Sequence, residues 1–345
     1  MSMAPALTCA RRRVLALAGL ALAALLPGGR ARADDAVEIR IATLAPKGSS
    51  WAKEMEKGAH EIETRTQGRV KVKYFFSAQQ GDEHDVIRKM KLGQLDGAAL
   101  TAIGLGIIDG NLRVNDLPML YDNEAQVDYV RDHMAADLDA VIRKDGYVWL
   151  GWGDVGWAFV YSNTPITSRA DLKQVKMWVW TDDPSMRALW GRLGVNAVPL
   201  NLPDVYPQLQ TGLIDGCYGS PLAAVAFQWF TKVKYATAMP VAYTIGALVV
   251  RAEVFDRLSP ADQKVVREVG KTMGDALVKS ARRDNDRARK VMEKAGVQFT
   301  PMPDAFVADL RTEGAGVWQD LVKQGVLRQD LLDVVMKYVA EAKKK

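Results

Sequence analysis

The sequence predicts an α/β protein of two similar lobes. Three observations carry that expectation. Strands and helices alternate along most of the chain, a helix–glycine–Asp-Gly–strand junction occurs twice, and one charged helix is longer than a single lobe is wide.

The elements follow in order. Val37 to Thr43 alternates apolar and polar residues and reads as a strand. Pro46 to Ser50 is a loop whose serines can cap the helix predicted over Trp51 to Arg65, where Met55, Ala59 and Ile62 keep helical spacing. A second strand is expected at Val70 to Phe76, a second helix at Glu83 to Lys91 closed by Gly93, and a short strand at Gly97 to Leu100. Later come a strand at Trp149 to Asn163, a short helix opened by Ser168, a strand at Lys176 to Trp180, a helix from Pro184 to Leu193 ending at Gly194, and a strand at Thr244 to Arg251. Ser259-Pro260-Ala261-Asp262 is a helix start. The helix it opens runs for about 36 residues, about 54 Å at 1.5 Å per residue. A helical hairpin broken near Ser280 is the alternative.

The repeated junction is Met90 to Ala98 against Leu209 to Cys217. In both, a helix ends in a glycine suited to the left-handed cap, and Asp-Gly then turns the chain into a buried strand.

Residues 1–33 hold five arginines and no lysine, aspartate or glutamate. Arg11-Arg12-Arg13 precede an apolar run from Val14 to Leu26, and Ala31-Arg32-Ala33 offers small residues two apart. This is the layout of a cleavable secretory signal, and the apolar run is short for a membrane span. Cleavage after Ala33 is expected to leave 312 residues with 41 basic and 41 acidic side chains, so the mature chain is near neutral. The balance gives no case for nucleic acid as partner. One cysteine, Cys217, would remain, which allows no internal disulfide.

The sequence carries no recognisable catalytic or metal-binding motif. His60, His84 and His133 lack ligand or triad spacing and read as solvated. Cys217 reads as packed, Gly104-Leu105-Gly106 is only a fragment of a dinucleotide fingerprint, and Asp182-Asp183 beside Pro184 reads as a helix cap. No cofactor is expected. Tryptophan is the abundant feature: five of the nine fall between Trp149 and Trp180. Trp178 and Trp180 share one strand face, which fits either two core indoles or an aromatic cleft wall.

Taken in sequence, Ile41 to Ser49, Gln79 to Glu83, Asn115-Asp116-Leu117-Pro118-Met119-Leu120-Tyr121-Asp122, Ile166 to Lys176, Thr211 to Gly216 and Ser220 to Ala224 resemble the DctP-type solute-binding proteins of TRAP transporters over about 37–328. The resemblance implies a two-lobed periplasmic-binding-protein fold with crossing strands and a long lobe-spanning helix. It implies periplasmic capture of a small-molecule ligand, delivery to TRAP membrane permease subunits, and no enzymatic step. On this frame lobe I is expected at 34–157 and 245–258, lobe II at 158–244 and 297–345, and the long helix at 259–296.

The departures from the family pattern concern charge. The arginine with which most members hold a carboxylate aligns with Trp178, and where a second arginine often follows Gly-aromatic, Gly156-Trp157 is followed by Ala158. A buried carboxylate without a charged partner is costly. The expected ligand is therefore apolar or weakly polar, with Trp178, Trp157, Trp180, Tyr218 and Trp51 as walls and Thr101 and Ser220 orienting it. This is similar to a branch lacking the arginine, which also implies a tetratricopeptide-type periplasmic partner. Two alternatives stand beside it: an organic acid held through a cation on Asp182, Asp183 or Asp154, or a secreted enzyme using the same crevice.

Overall fold

A computed structural model describes residues 36–344, so the expected signal segment lies outside the described residues. The chain opens β1 (Val37–Thr43), α1 (Ser50–Arg65), β2 (Val70–Phe75), α2 (Glu83–Lys91) and β3 (Gly97–Thr101). β1 lies between β2 and β3, parallel to both. α3 (Ala102–Ile108), a 3₁₀ stretch at Gly110–Asp116 and α4 (Glu124–Lys144) lead into β4 (Tyr147–Ser162).

After α5 (Arg169–Lys173) the opening pattern returns as β5 (Met177–Trp180), α6 (Pro184–Leu193), β6 (Ala197–Leu200), α7 (Val205–Thr211) and β7 (Gly216–Gly219). β5 is parallel to both β6 and β7, the same arrangement as before. α8 (Pro221–Ala226) and β8 (Tyr235–Thr237) precede β9 (Ala242–Arg251), followed by α9 (Ala252–Asp256), α10 (Pro260–Lys294), β10 (Gln298–Thr300), α11 (Asp304–Lys323) and α12 (Gln329–Ala342). Among the described residues no helix is long and apolar enough to cross a membrane.

The repeated junction has one structural cause in both places. Gly93 and Gly212 take left-handed backbone, with φ of 71° and 74°. The aspartate that follows each clamps the neighbouring strand. Asp96 Oδ2 accepts from Arg40 N at 2.9 Å while Asp96 N donates to Arg40 O at 2.9 Å, and Asp215 Oδ1 accepts from Lys176 N at 2.7 Å while Asp215 N donates to Lys176 O at 3.1 Å. A carboxylate that fixes the strand beside it recurs because each half must bring its third strand into register with its first.

β4 and β9 join the halves. They pair antiparallel from Tyr147↔Arg251 to Ala158↔Ala242, with register shifts between Trp149 and Gly151 and between Asp154 and Gly156. β3 pairs with β9 and β7 with β4, so one sheet runs β2-β1-β3-β9-β4-β7-β5-β6. α10 is one unbroken helix of 35 residues, capped by Ser259 Oγ on Asp262 N, and the hairpin alternative at Ser280 does not form. It lies directly on β4 because Gly151 of the strand faces Gly270 and Gly274 of the helix, and a Cβ on Gly151 would stand 2.3 Å from Gly270 O. A Cβ on Gly270 would stand 2.7 Å from Leu150 O, and one on Gly274 2.6 Å from Trp152 O.

Candidate functional site

A cavity of about 160 Å³ opens where β1, β3, β5 and β7 present their carboxyl ends, the position where open α/β sheets bind ligands. β4, β9, α1 and α10 close it with Gly153 to Val155, Ala158, Thr244, Trp51, Met273 and Leu277.

Of the residues singled out in the sequence, Trp51, Thr101, Trp178, Trp180, Tyr218 and Ser220 come together around this cavity. Trp157 does not join them. It lines a separate recess with Met239, Pro240 and Arg311, and its ring meets Tyr243 edge-on at 4.8 Å. The irregularity at Asp154/Gly156, where Gly156 has φ of +106°, interrupts the alternation of β4, so Ala158 and not Trp157 lines the main cavity. Trp152, Phe227 and Trp229 complete an aromatic lining of seven rings. Nothing in their local patterns separated them from core aromatics.

Trp178 is 1% exposed and central. Its indole stacks on Tyr218 at 4.9 Å and 24°, tilts against Trp180 at 5.8 Å and meets Trp229 edge-on at 5.5 Å. Four polar handles around the cavity are engaged by the protein, whereas Trp229 Nε1 is buried without a partner. Trp178 Nε1 donates to Leu200 O at 3.0 Å, Trp51 Nε1 to Asp154 O at 3.2 Å, Trp180 Nε1 to Asp82 Oδ2 at 2.9 Å, and Tyr218 Oη to Asp183 Oδ2 at 2.8 Å. These four rings therefore offer π faces to the cavity more than donors. Thr101 and Ser220, expected to orient a ligand, also act locally: Thr101 Oγ1 donates to Glu83 Oε2 at 2.8 Å and caps α3 at Ile103 N, and Ser220 Oγ caps α8 at Ala223 N.

No lysine, arginine or histidine is among the lining residues, whereas Glu83, Asp116, Asp154 and Asp183 are. Glu83 and Asp116 join the site without having been expected there, although both lie in segments that carry the resemblance. Glu83, 1% exposed, accepts from Thr101 N at 2.7 Å and Gly104 N at 2.5 Å. Burial nevertheless raises its carboxyl from the ordinary 4.5 to about 7, the three donors only partly opposing the shift. Burial also raises Asp82, which accepts from Glu83 N at 2.7 Å, Trp180 Nε1 at 2.9 Å and Leu202 N at 2.9 Å, and so ties α2 to the β5–β6 region.

Asp154 is neutralised by its surroundings. Its carboxylate accepts from Tyr243 Oη at 2.5 Å, Arg282 Nε at 3.0 Å and Arg131 Nη1 at 3.4 Å. Asp183 caps α6 at Met186 N, 3.0 Å away, as the Asp-Asp-Pro sequence suggested. Asp182, Asp183 and Asp154 are not gathered into a cation site, and among the described residues no group of three or more histidine, cysteine or acidic side chains is arranged to hold a metal ion. Cys217 is buried, which pushes its thiol up, and the three histidines are exposed.

A family model described as bacterial extracellular solute-binding protein, family 7 (DctP) matches residues 41–324. The C4-dicarboxylate-binding periplasmic protein DctP of Rhodobacter capsulatus is 28% identical over 289 residues, covering 82% of each chain. A TRAP periplasmic solute-binding protein from Xanthobacter autotrophicus Py2, solved with bound β-D-galacturonate, matches with a TM-score of 0.79 at 26% identity, covering 88% of this chain and 99% of its own. One from Ralstonia eutropha H16, solved with bound (S)-2-acetolactate, matches with a TM-score of 0.81 at 24% identity and the same coverage, a likeness of fold.

Proposed function

The chain belongs to the family 7 bacterial extracellular solute-binding proteins, the DctP receptors of TRAP transporters, and from that premise we propose that it captures a small apolar or weakly polar solute in the aromatic cavity and hands it to a membrane permease. As a member it is a solute-binding receptor and not an enzyme. The observation that carries the ligand reading is the lining itself: seven aromatic rings and no basic side chain. Relatives and structural neighbours are described as binding a C4-dicarboxylate, a uronate or acetolactate. A carboxylate enclosed here would meet acidic groups and no cation, and desolvating an unpaired carboxylate is prohibitive.

Capture works by closure. The proposed lobes, 34–157 with 245–258 and 158–244 with 297–345, hinge on β4 and β9, while α10 spans both. Asp82 bonds across to Trp180 and Leu202, so a solute that fills the space between them favours the closed arrangement. The signal segment at 1–33 accounts for periplasmic export, and N-terminal sequencing of the exported protein tests it. Co-purification from the periplasm tests the tetratricopeptide-type partner.

Calorimetry on protein stripped of ligand by unfolding and refolding tests the cavity. Neutral aromatic or alicyclic solutes are expected to bind, and Trp178→Ala to weaken them. Tight binding of a C4-dicarboxylate, undiminished in Trp178→Ala, would overturn the reading.

A further inference from the structure

We propose that the cavity selects an organic cation: a compact apolar or aromatic body bearing a protonated amine, held between the faces of Trp178 and Tyr218 and the carboxyl groups of Asp116 and Asp183. The proposal rests on the cavity being the solute site, as argued above, and names the class of solute.

The carboxyl groups at the cavity differ in what they have left to give. Asp154 is paired with Arg131 and Arg282, and Glu83 is filled by Thr101 and Gly104. Asp116 is not filled. Thr244 and the Ile245 amide favour its charged form, but Oδ1, shut off from solvent, has no hydrogen-bond partner. Arg113 acts on this carboxyl through its charge but not by a hydrogen bond, since its Nη2 donates to Asp182 O at 2.7 Å and to Ile103 O at 3.3 Å. Burial pushes the Asp116 carboxyl well above the usual aspartate range, and the like charge of Asp183 pushes it further. An acceptor left empty beside a second acid is short of a cation.

Rings and acids are also joined in one arrangement. Tyr218 stacks on Trp178 and donates to Asp183, so a group against these rings also lies beside the acid. An ammonium there gains the ring quadrupole and the carboxylate field together in a desolvated setting. A carboxylate in the same place would meet repulsion from both. A cavity of about 160 Å³ is close to the roughly 150 Å³ that holds benzene in an engineered protein core, so a benzyl-sized body fits.

The test is an isostere series on the ligand-stripped, unmutated chain: benzylamine, benzyl alcohol and benzoate, by calorimetry. Benzylamine is expected to bind at least tenfold more tightly than benzyl alcohol, with benzoate weakest. Asp116→Asn is expected to weaken benzylamine at least tenfold more than it weakens benzyl alcohol. The comparison on the unmutated chain stands whether or not that variant folds. Benzoate binding as tightly as benzylamine, no preference for benzylamine over benzyl alcohol, or no benzylamine binding at millimolar concentration would each overturn the inference. Benzyl alcohol bound without an amine preference removes this inference and leaves the aromatic-cavity reading standing. A bound C4-dicarboxylate with neither benzyl compound bound removes both.

Discussion

Glu83 makes the stability of this protein depend on pH in a way that can be worked out in advance. Its carboxyl keeps its proton to about pH 7 in the folded chain, against 4.5 ordinarily. Between those values the folded state binds more protons than the unfolded state, so this contribution is fully present below pH 4.5 and is lost as pH rises toward and through 7. Two-state linkage with these two values puts the loss between pH 5 and pH 8 at about 2.5 kcal/mol. Asp82 and Asp116 are also raised and act in the same direction, so the wild-type curve alone cannot isolate Glu83. Glu83→Gln can, because an amide does not titrate. Urea denaturation of the mature chain and of Glu83→Gln at pH 5, 6, 7 and 8 should show the variant gaining on the wild type by about 2.5 kcal/mol across the series. A difference constant to within about 0.5 kcal/mol would mean that the carboxyl titrates alike in both states and that its burial does not set this pH dependence.

Three further outcomes follow from particular contacts. Arg282→Met removes one of the two guanidinium partners of the buried Asp154 carboxylate, leaving Arg131 and Tyr243, and should cost about 1–3 kcal/mol in urea denaturation. Gly274→Val forces a branched side chain into the α10–β4 contact and should lower stability by about 1–3 kcal/mol. Asp82→Asn turns an amide NH2 either toward Glu83 N or toward Trp180 Nε1 and Leu202 N together. It should weaken capture of a neutral aromatic solute by about 1–3 kcal/mol, read by calorimetry as a roughly 5–150-fold rise in Kd.

Much of the fold was legible because its signals are local. Helix caps at Ser49, Ser168, Asp183 and Ser259 fall where short polar residues precede apolar periodicity. The repeated Gly…Asp-Gly junction marked two equivalent halves because one chemical need, pinning a third strand to a first, recurs in each. The site was half legible. Trp178 and Trp180 share a strand face, so period-two spacing brought them together. Trp157 was misplaced because the irregularity at Gly156 depends on pairing with a strand some ninety residues away. Asp116 and Glu83 were passed over because their character comes from burial among distant elements, and an isolated Asp or Glu in a sequence carries no trace of that.

On the proposed reading this receptor's cavity takes a solute without a carboxylate. Native mass spectrometry of the protein purified gently from its own periplasm tests it most directly. The expected result is a small adduct whose released mass corresponds to a compact compound with no carboxyl group. A stoichiometric adduct that releases a dicarboxylate or a uronate would contradict it.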